Sequence, residues 1–332
     1  MIGLALPDPL AESLRATDLR IVVTGAGGWI GSATLEMLAT SLGPERFRRS
    51  VIGFAASDRK LRLRTGLEVE LAALERLDQI PPGRPTLLLH YAFLTRDKAA
   101  SMTVAQYEAA NVLITAAVRR AIERLRPQAM FLTSSGAVYG PGRSIETDMS
   151  RNPYGVMKHR DELAFGETCR ASRTRLVVAR IFNLAGEYIN KLSSYALASF
   201  IVDALADRPI AIHARRKVER SYVHVGDVVS LALAALLEEG VAPEPFDTAG
   251  ERVVEVGELA RLVRDVWGRP DLEIPRPTLD DSQPADRYVG DPAAMRAIGA
   301  RNGLVFEDLK RQVMRTGEYL SMMQTAISTA PA

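Results

Sequence analysis

From residue 19 onward, short runs rich in β-branched residues alternate with longer stretches whose apolar positions recur at helical spacing. Residues 19–24, 51–55, 86–91, 129–133 and 175–180 read as strands, and 29–41, 104–124 and 154–171 read as helices. Strands separated by helices predict βαβ units and an α/β fold whose parallel sheet is covered on both faces. Past Asn183 the rhythm breaks. A helix near 194–206 and a strand and helix over 221–239 follow. The Pro-rich stretch 270–284 and a last helix from Phe306 then point to a second lobe assembled from discontinuous pieces.

Composition narrows the class. A chain of 332 residues has room for about two structural units. Hydrophobic residues at 47% and charged residues at 25% are ordinary for a globular protein and exclude disorder and fibrous repeats. With 42 Lys+Arg against 40 Asp+Glu, the formal charge of +2 gives no overall field towards nucleic acid or an anionic membrane. A single cysteine, Cys169, excludes an internal disulfide and any cysteine-rich metal site, and only four histidines argue against a metal cluster, so no metal is expected. The first twenty residues lack a basic segment and a cleavage pattern, and no run of about 18 apolar residues occurs, so the expected location is the cytoplasm.

The chemistry starts at the first strand's end. Thr24-Gly25-Ala26-Gly27-Gly28-Trp29-Ile30-Gly31 spaces Gly25, Gly28 and Gly31 three apart between a strand and a helix. Glycines there permit a tight turn and close approach of backbone to a pyrophosphate, while the helix start offers free N–H groups and a positive dipole end. A plain tight turn is the alternative reading. An NAD site usually carries an acid at the end of the second strand for the ribose. Here that strand runs into Ala55-Ala56-Ser57-Asp58-Arg59-Lys60, a hydroxyl and cations suited to a 2′-phosphate, so NADP is expected, with NAD as the alternative should Asp58 reach the ribose. Gly25, Gly28, Trp29, Ile30, Gly31, Ser57, Arg59, Ala92, Asn111, Tyr154 and Lys158 are the residues expected around the cofactor, Trp29 as packing or cover.

Tyr154 and Lys158 stand one helical turn apart and share a face. A nearby ammonium and an oxidised nicotinamide favour the phenolate and lower a tyrosine's pKa, and Ser135, from a neighbouring strand end, can bond the reacting oxygen. The three are expected to form a proton-transfer site for carbonyl–alcohol redox chemistry. His90 and His224 read as packed histidines rather than acid–base groups.

At this point the chain resembles the extended short-chain dehydrogenase/reductase family, in its nucleotide-sugar epimerase, dehydratase and reductase branch. The resemblance covers nearly the whole length. Residues 24–31 match its TGxxGxxG, 134–140 its SSxxVYG and 154–158 its YxxxK, with further matches at 180–183, 220–227 and 286–289. It implies a Rossmann-type doubly wound parallel sheet with a smaller C-terminal substrate-binding lobe. The boundaries expected are 1–184, with 216–248 returning, for the dinucleotide lobe, and 185–215 and 249–332 for the substrate lobe. It also implies Ser135, Tyr154 and Lys158 as catalytic residues, and Asn183, Arg220 and Arg287 on the diphosphate of a nucleoside-diphosphate sugar bound between the lobes. A homodimer through the helices carrying Asn111 and Tyr154 is implied too.

The departures from the family's patterns choose among reactions. Dehydratases of this branch place Asp-Glu directly after the serine, and this chain has Gly136-Ala137; a thiol for the GDP-fucose type of epimerase-reductase is missing at the same place. What remains is an NADP-linked 4-keto reductase, with an NAD-dependent 4-epimerase as the alternative. A non-catalytic dinucleotide-binding regulator and an enzyme of small carbonyl compounds are the readings from other classes.

Overall fold

The computed structural model describes residues 3–328; residues 1–2 and 329–332, which the expected lobes include, lie outside the described residues. The first half runs α1 (Asp8–Ala16), β1 (Arg20–Thr24), α2 (Trp29–Leu42), α3 (Pro44–Ser50), β2 (Val51–Ala55), β3 (Arg59–Arg62), β4 (Glu68–Ala73), β5 (Thr86–His90), α4 (Arg96–Ala100), α5 (Val104–Leu125) and β6 (Ala129–Ser135). There follow α6 (Pro153–Ser172), β7 (Arg175–Ile181), β8 (Asn183–Ala185), α7 (Ala196–Leu205), β9 (Val218–His224), α8 (Val225–Leu237), β10 (Phe246–Thr248), β11 (Val253–Glu255), α9 (Val256–Val266), β12 (Asp286–Tyr288), α10 (Ala293–Arg301) and α11 (Leu309–Ser328).

Eight strands form one sheet in the order β10-β7-β6-β5-β1-β2-β4-β3, parallel except for the β3–β4 pair. The order turns outward in both directions from the β1–β5 pair, which makes the ends of those two strands the switch point of a doubly wound Rossmann-type sheet. Strands β1, β5 and β6 are buried along their whole length, so their apolar runs pack on both faces. Leu87, Leu89 and Phe131 face one apolar cluster with α2 and α8, and the alternating Leu88, Met130 and Leu132 face a second with α5 and α6. Each such fully buried side chain contributes about 1.5–3 kcal/mol.

The second lobe is built on a small sheet in which β9 pairs with β8, β11 and β12. The stretch 216–248, expected to return to the dinucleotide lobe, is divided: β9 builds the small sheet, while β10 adds the large sheet's edge strand beside β7. The β3–β4 hairpin and α1 were not expected from the apolar pattern; β3 is almost wholly exposed and carries no apolar alternation to read.

Candidate active site

The glycine loop lies at the switch point. Gly25 has φ 69°, and a Cβ there would come within 2.6 Å of Ala92 N on the strand β5 side. A Cβ on Gly31 would sit 2.3 Å from Gly25 O, so that glycine lets α2 close onto the turn. Gly28 caps α2 without a side-chain hydrogen bond, and the first turn carries no acid. Its first amides, from Trp29 and Ile30 onward, therefore have no partner within the helix and face a cradle fit for a pyrophosphate. Trp29 closes one side: its indole donates to Glu187 O at 2.7 Å, and its ring meets Tyr195 edge-on at 5.5 Å.

The end of β2 is the place considered for a ribose. Arg59 Nη2 donates to Gly27 O at 3.0 Å, which brings a guanidinium to the loop, with exposed Ser57 two residues before it. Asp58 turns elsewhere: Oδ1 accepts from Ala73 N at 2.7 Å, and Oδ2 pairs with Arg76 at 2.7 Å. The carboxylate considered for an NAD ribose is thus engaged at the end of β4.

Ser135, Tyr154 and Lys158 come together because the start of α6 is tied to the end of β6. Asn152 caps α6 by accepting from Gly155 N at 2.9 Å, and its Nδ2 donates to Ala137 O at 2.7 Å. Pro153 supplies the preset φ favoured at a first helical position. Gly155 is required there, since a Cβ would lie 1.9 Å from Ala137 O. Ser135 Oγ accepts from Ala137 N at 3.1 Å and lies 3.2 Å from the Tyr288 hydroxyl.

The lysine has two close partners. Lys158 Nζ donates to Thr133 O at 2.8 Å and lies 3.8 Å from the Phe93 ring centre, and that ring stands edge-on between it and Tyr154. Burial pushes the Lys158 ammonium down to about 8, opposed by Asp161 and Glu162. Burial raises the Tyr154 phenol above its usual range, opposed chiefly by its hydrogen-bond partner Ser135. The Lys158 ammonium thus bears on the carbonyl of Thr133 and on the Phe93 ring.

Phe93 is itself placed by Asn111. Fully buried on α5, Asn111 accepts from Leu94 N at 3.0 Å and donates to Tyr107 O at 3.0 Å, so its amide bears on the site through the 93–94 segment. Asp161, beside Lys158 and bonded to Thr115, is pushed by burial up to about 6.

Tyr288 is the residue that sequence reasoning missed. It follows Arg287 in a matched motif, but only the pairing of β12 with β9 decides that Tyr288, not Arg287, faces Ser135. Phe182 supports it, with ring centres 4.7 Å apart, and fills the space a side chain at Gly136 would need: a Cβ there would be 2.5 Å from that ring. An acid or thiol at 136 is excluded by packing as well as by identity.

The three residues expected on a diphosphate are placed differently. Arg220 is partly buried and bonds Asp286, Nη2 to Oδ2 at 3.1 Å. Arg287 lies on the opposite face of β12, mostly exposed and paired with Glu219. Asn183 uses both amide protons on Ser221 O and Tyr288 O, at 3.0 and 3.1 Å, which leaves only an acceptor for a ligand. His90 is packed, bonded to Thr24 Oγ1 and held by burial at about 3. His224 is buried too: Nδ1 accepts from Gly226 N at 3.1 Å, and Nε2 lies 3.0 Å from Glu187 Oε2. No group of three metal-binding side chains occurs among the described residues, and no described helix is long and apolar enough to cross a membrane.

Comparisons with known proteins bear on the family and the fold. The model of the NAD dependent epimerase/dehydratase family matches residues 21–249. A UDP-glucose 4-epimerase of Mycoplasma genitalium is 24% identical over 235 residues, 63% of this chain and 68% of that protein. A dTDP-4-dehydro-6-deoxy-D-allose reductase of Streptomyces bikiniensis is 35% identical over 121 residues, covering 36% of this chain and 33% of that protein. The solved structure of a UDP-N-acetylglucosamine 4-epimerase from Methanobrevibacter ruminantium M1, in complex with UDP-N-acetylmuramic acid, covers 92% of this chain and 99% of its own with a TM-score of 0.73 at 17% identity, which shows a shared fold.

Proposed function

Because the chain belongs to the NAD-dependent epimerase/dehydratase family, we propose that it reduces the 4-keto group of a nucleoside-diphosphate 6-deoxyhexulose, with NADP as its dinucleotide. When bound in reduced form, the dinucleotide supplies the hydride. Ser135 donates a hydrogen bond to the keto oxygen, and Tyr154 passes its proton to that oxygen as the alcohol forms. Lys158, through Thr133 O and Phe93, holds the base of the site and the ring against which Tyr154 packs. Arg220 is the cation for the diphosphate, with Asn183 as a further member of the substrate site, in a crevice between the dinucleotide lobe and the C-terminal lobe, while Arg287 faces away towards Glu219.

One observation supports the direction: Arg59 reaches the glycine loop while Asp58 is engaged by Ala73 and Arg76, which suits the 2′-phosphate of NADP. A net reduction draws on the reduced dinucleotide, whereas an epimerisation returns its hydride and uses none overall. Glycine at 136, where dehydratases of the branch carry an acid, removes the third reaction. The 4-epimerase reading is favoured instead by the named activities of the Mycoplasma relative and the Methanobrevibacter structure. The test is turnover of dTDP- and UDP-linked 4-keto-6-deoxyglucose with NADPH and NADH. Loss of reduced-nicotinamide absorbance with formation of the 4-hydroxy sugar is expected. Interconversion of UDP-glucose and UDP-galactose without net use of reduced dinucleotide would replace this reading by epimerisation.

The same reading takes the protein as a homodimer of the cytoplasm. Val112 and Leu113 on α5 are 50% and 71% exposed, and Leu163 on α6 57%, an apolar strip on the two helices that carry Asn111 and Tyr154. Light scattering after gel filtration should give twice the 36.3 kDa chain mass, and Leu113→Glu should halve it.

A further inference from the structure

Strand β12 holds two groups on which the proposed reaction depends. Tyr288 OH lies 3.2 Å from Ser135 Oγ. Two residues earlier on the same face, Asp286 takes Arg220: Nη1 donates to its main-chain oxygen at 2.7 Å and to Oδ1 at 3.4 Å, and Nη2 to Oδ2 at 3.1 Å. Arg216 adds a looser pairing to the same carboxylate at 3.8 Å. A strand of three residues thus occupies both the hydroxyl meant for the reacting oxygen and the guanidinium meant for the diphosphate.

Both engagements compete with substrate. Ser135 Oγ already accepts from Ala137 N at 3.1 Å, and its contact with Tyr288, in which either hydroxyl can donate, fills a position around that oxygen where a keto oxygen would come. A diphosphate on Arg220 places its negative charge beside the Asp286 carboxylate, and like charges at that distance repel. Tyr288 has no ammonium one turn away, as it would on a helix, and burial raises its pKa, so it fits poorly as a second base.

We propose that β12 is a latch worked by the substrate's own diphosphate: phosphate oxygens take Arg220 from Asp286, β12 shifts, and Tyr288 withdraws from Ser135. Tyr288 is then a positioning and specificity-determining residue. A small ketone without a diphosphate reaches a serine that is still held, which gives the site a way to refuse free carbonyl compounds. The inference rests on the assignment of Arg220 to the diphosphate.

The primary measurement needs no variant. Amide hydrogen exchange over residues 286–291 of the intact protein is followed alone and with inorganic pyrophosphate, UDP or dTDP, and faster exchange with pyrophosphate is expected. Asp286→Asn should bind pyrophosphate about tenfold more tightly, the size of one charge-assisted bond. Tyr288→Phe should lower KM for small ketones several-fold with kcat little changed. Unchanged exchange together with wild-type pyrophosphate affinity in Asp286→Asn overturns the latch. So does a kcat loss of about a hundredfold or more in Tyr288→Phe at unchanged KM, which makes Tyr288 a proton donor. Faster exchange with pyrophosphate in a protein that reduces no nucleotide sugar keeps the latch and removes the proposed substrate class.

Discussion

Arg59 rests its guanidinium on the carbonyl of Gly27, 3.0 Å away, while its neighbour Asp58 is bound to Ala73 and Arg76. One residue of the pair therefore faces the glycine loop and the other does not. A 2′-phosphate beside that loop gains a cation, and a ribose hydroxyl gains no acid. Arg59→Ala should raise KM for NADPH about tenfold or more, the size of one charge-assisted hydrogen bond, with NADH nearly unaffected. Steady-state kinetics with both dinucleotides decide it, and an equal change for the two removes Arg59 from the cofactor preference.

Tyr154→Phe deletes the proton and keeps the ring that packs on Phe93. We expect kcat to fall by about 10²–10⁴ with the melting temperature and dinucleotide affinity close to wild type. A variant that retains more than a tenth of the activity places the proton donor elsewhere.

Lys158 titrates early because it is buried, with a pKa of about 8 against 10.5 for a free lysine. Between those two values the unfolded chain binds more protons than the native one, so unfolding free energy should rise with pH across this window. Activity that depends on the ammonium should fall over the same range. Denaturant titrations from pH 7 to about 10.5 compare wild type with Lys158→Met, which should lack the rise.

Gly155→Ala tests the tie between β6 and α6. Its Cβ would lie 1.9 Å from Ala137 O and 2.4 Å from Asn152 Nδ2, so the start of the helix has to move. A loss of about 1–3 kcal/mol in stability is expected from the overpacking, and the shift of Tyr154 should lower kcat more than it raises KM. Alanine tolerated without change in either quantity would contradict the close approach.

His90 supplies an acid-side test. Burial holds it neutral down to about 3, whereas an exposed histidine protonates near 6.5. The stability that it permits is complete above 6.5 and is lost progressively as pH falls towards 3, because only the unfolded chain takes up the proton. Asp161 and Asp227, raised by burial to about 6, act in the opposite sense in that range. Comparing wild type with His90→Gln by denaturant titration at successive pH values isolates the histidine: the variant should have the shallower acid limb.

The legible parts of the molecule were those with a long period or a fixed spacing. Strands β1, β5, β6 and β7 carry continuous apolar runs, and the glycine loop and the Tyr154–Lys158 turn fix neighbours within a few residues. Strands β8, β10, β11 and β12 have three residues each, too few for an apolar alternation, and exist because partners from elsewhere pair with them. Which face Tyr288 and Arg287 take follows from a register with β9 that no local pattern encodes. Spacing brought Lys158 near Tyr154, but the direction of the ammonium was set by Thr133 and Phe93, which lie on two other segments.

Asn183 finds its two carbonyl partners at Ser221 and Tyr288, 38 and 105 residues further along the chain. The turn of the glycine loop comes up against Ala92, whereas its Trp29 side waits for Glu187 and Tyr195. The wall that brings a tyrosine to Ser135 waits longer, until residues 286–288 have been made. A chain cut short before residue 286 would leave Ser135 without its tyrosine neighbour and Asn183 with one carbonyl instead of two.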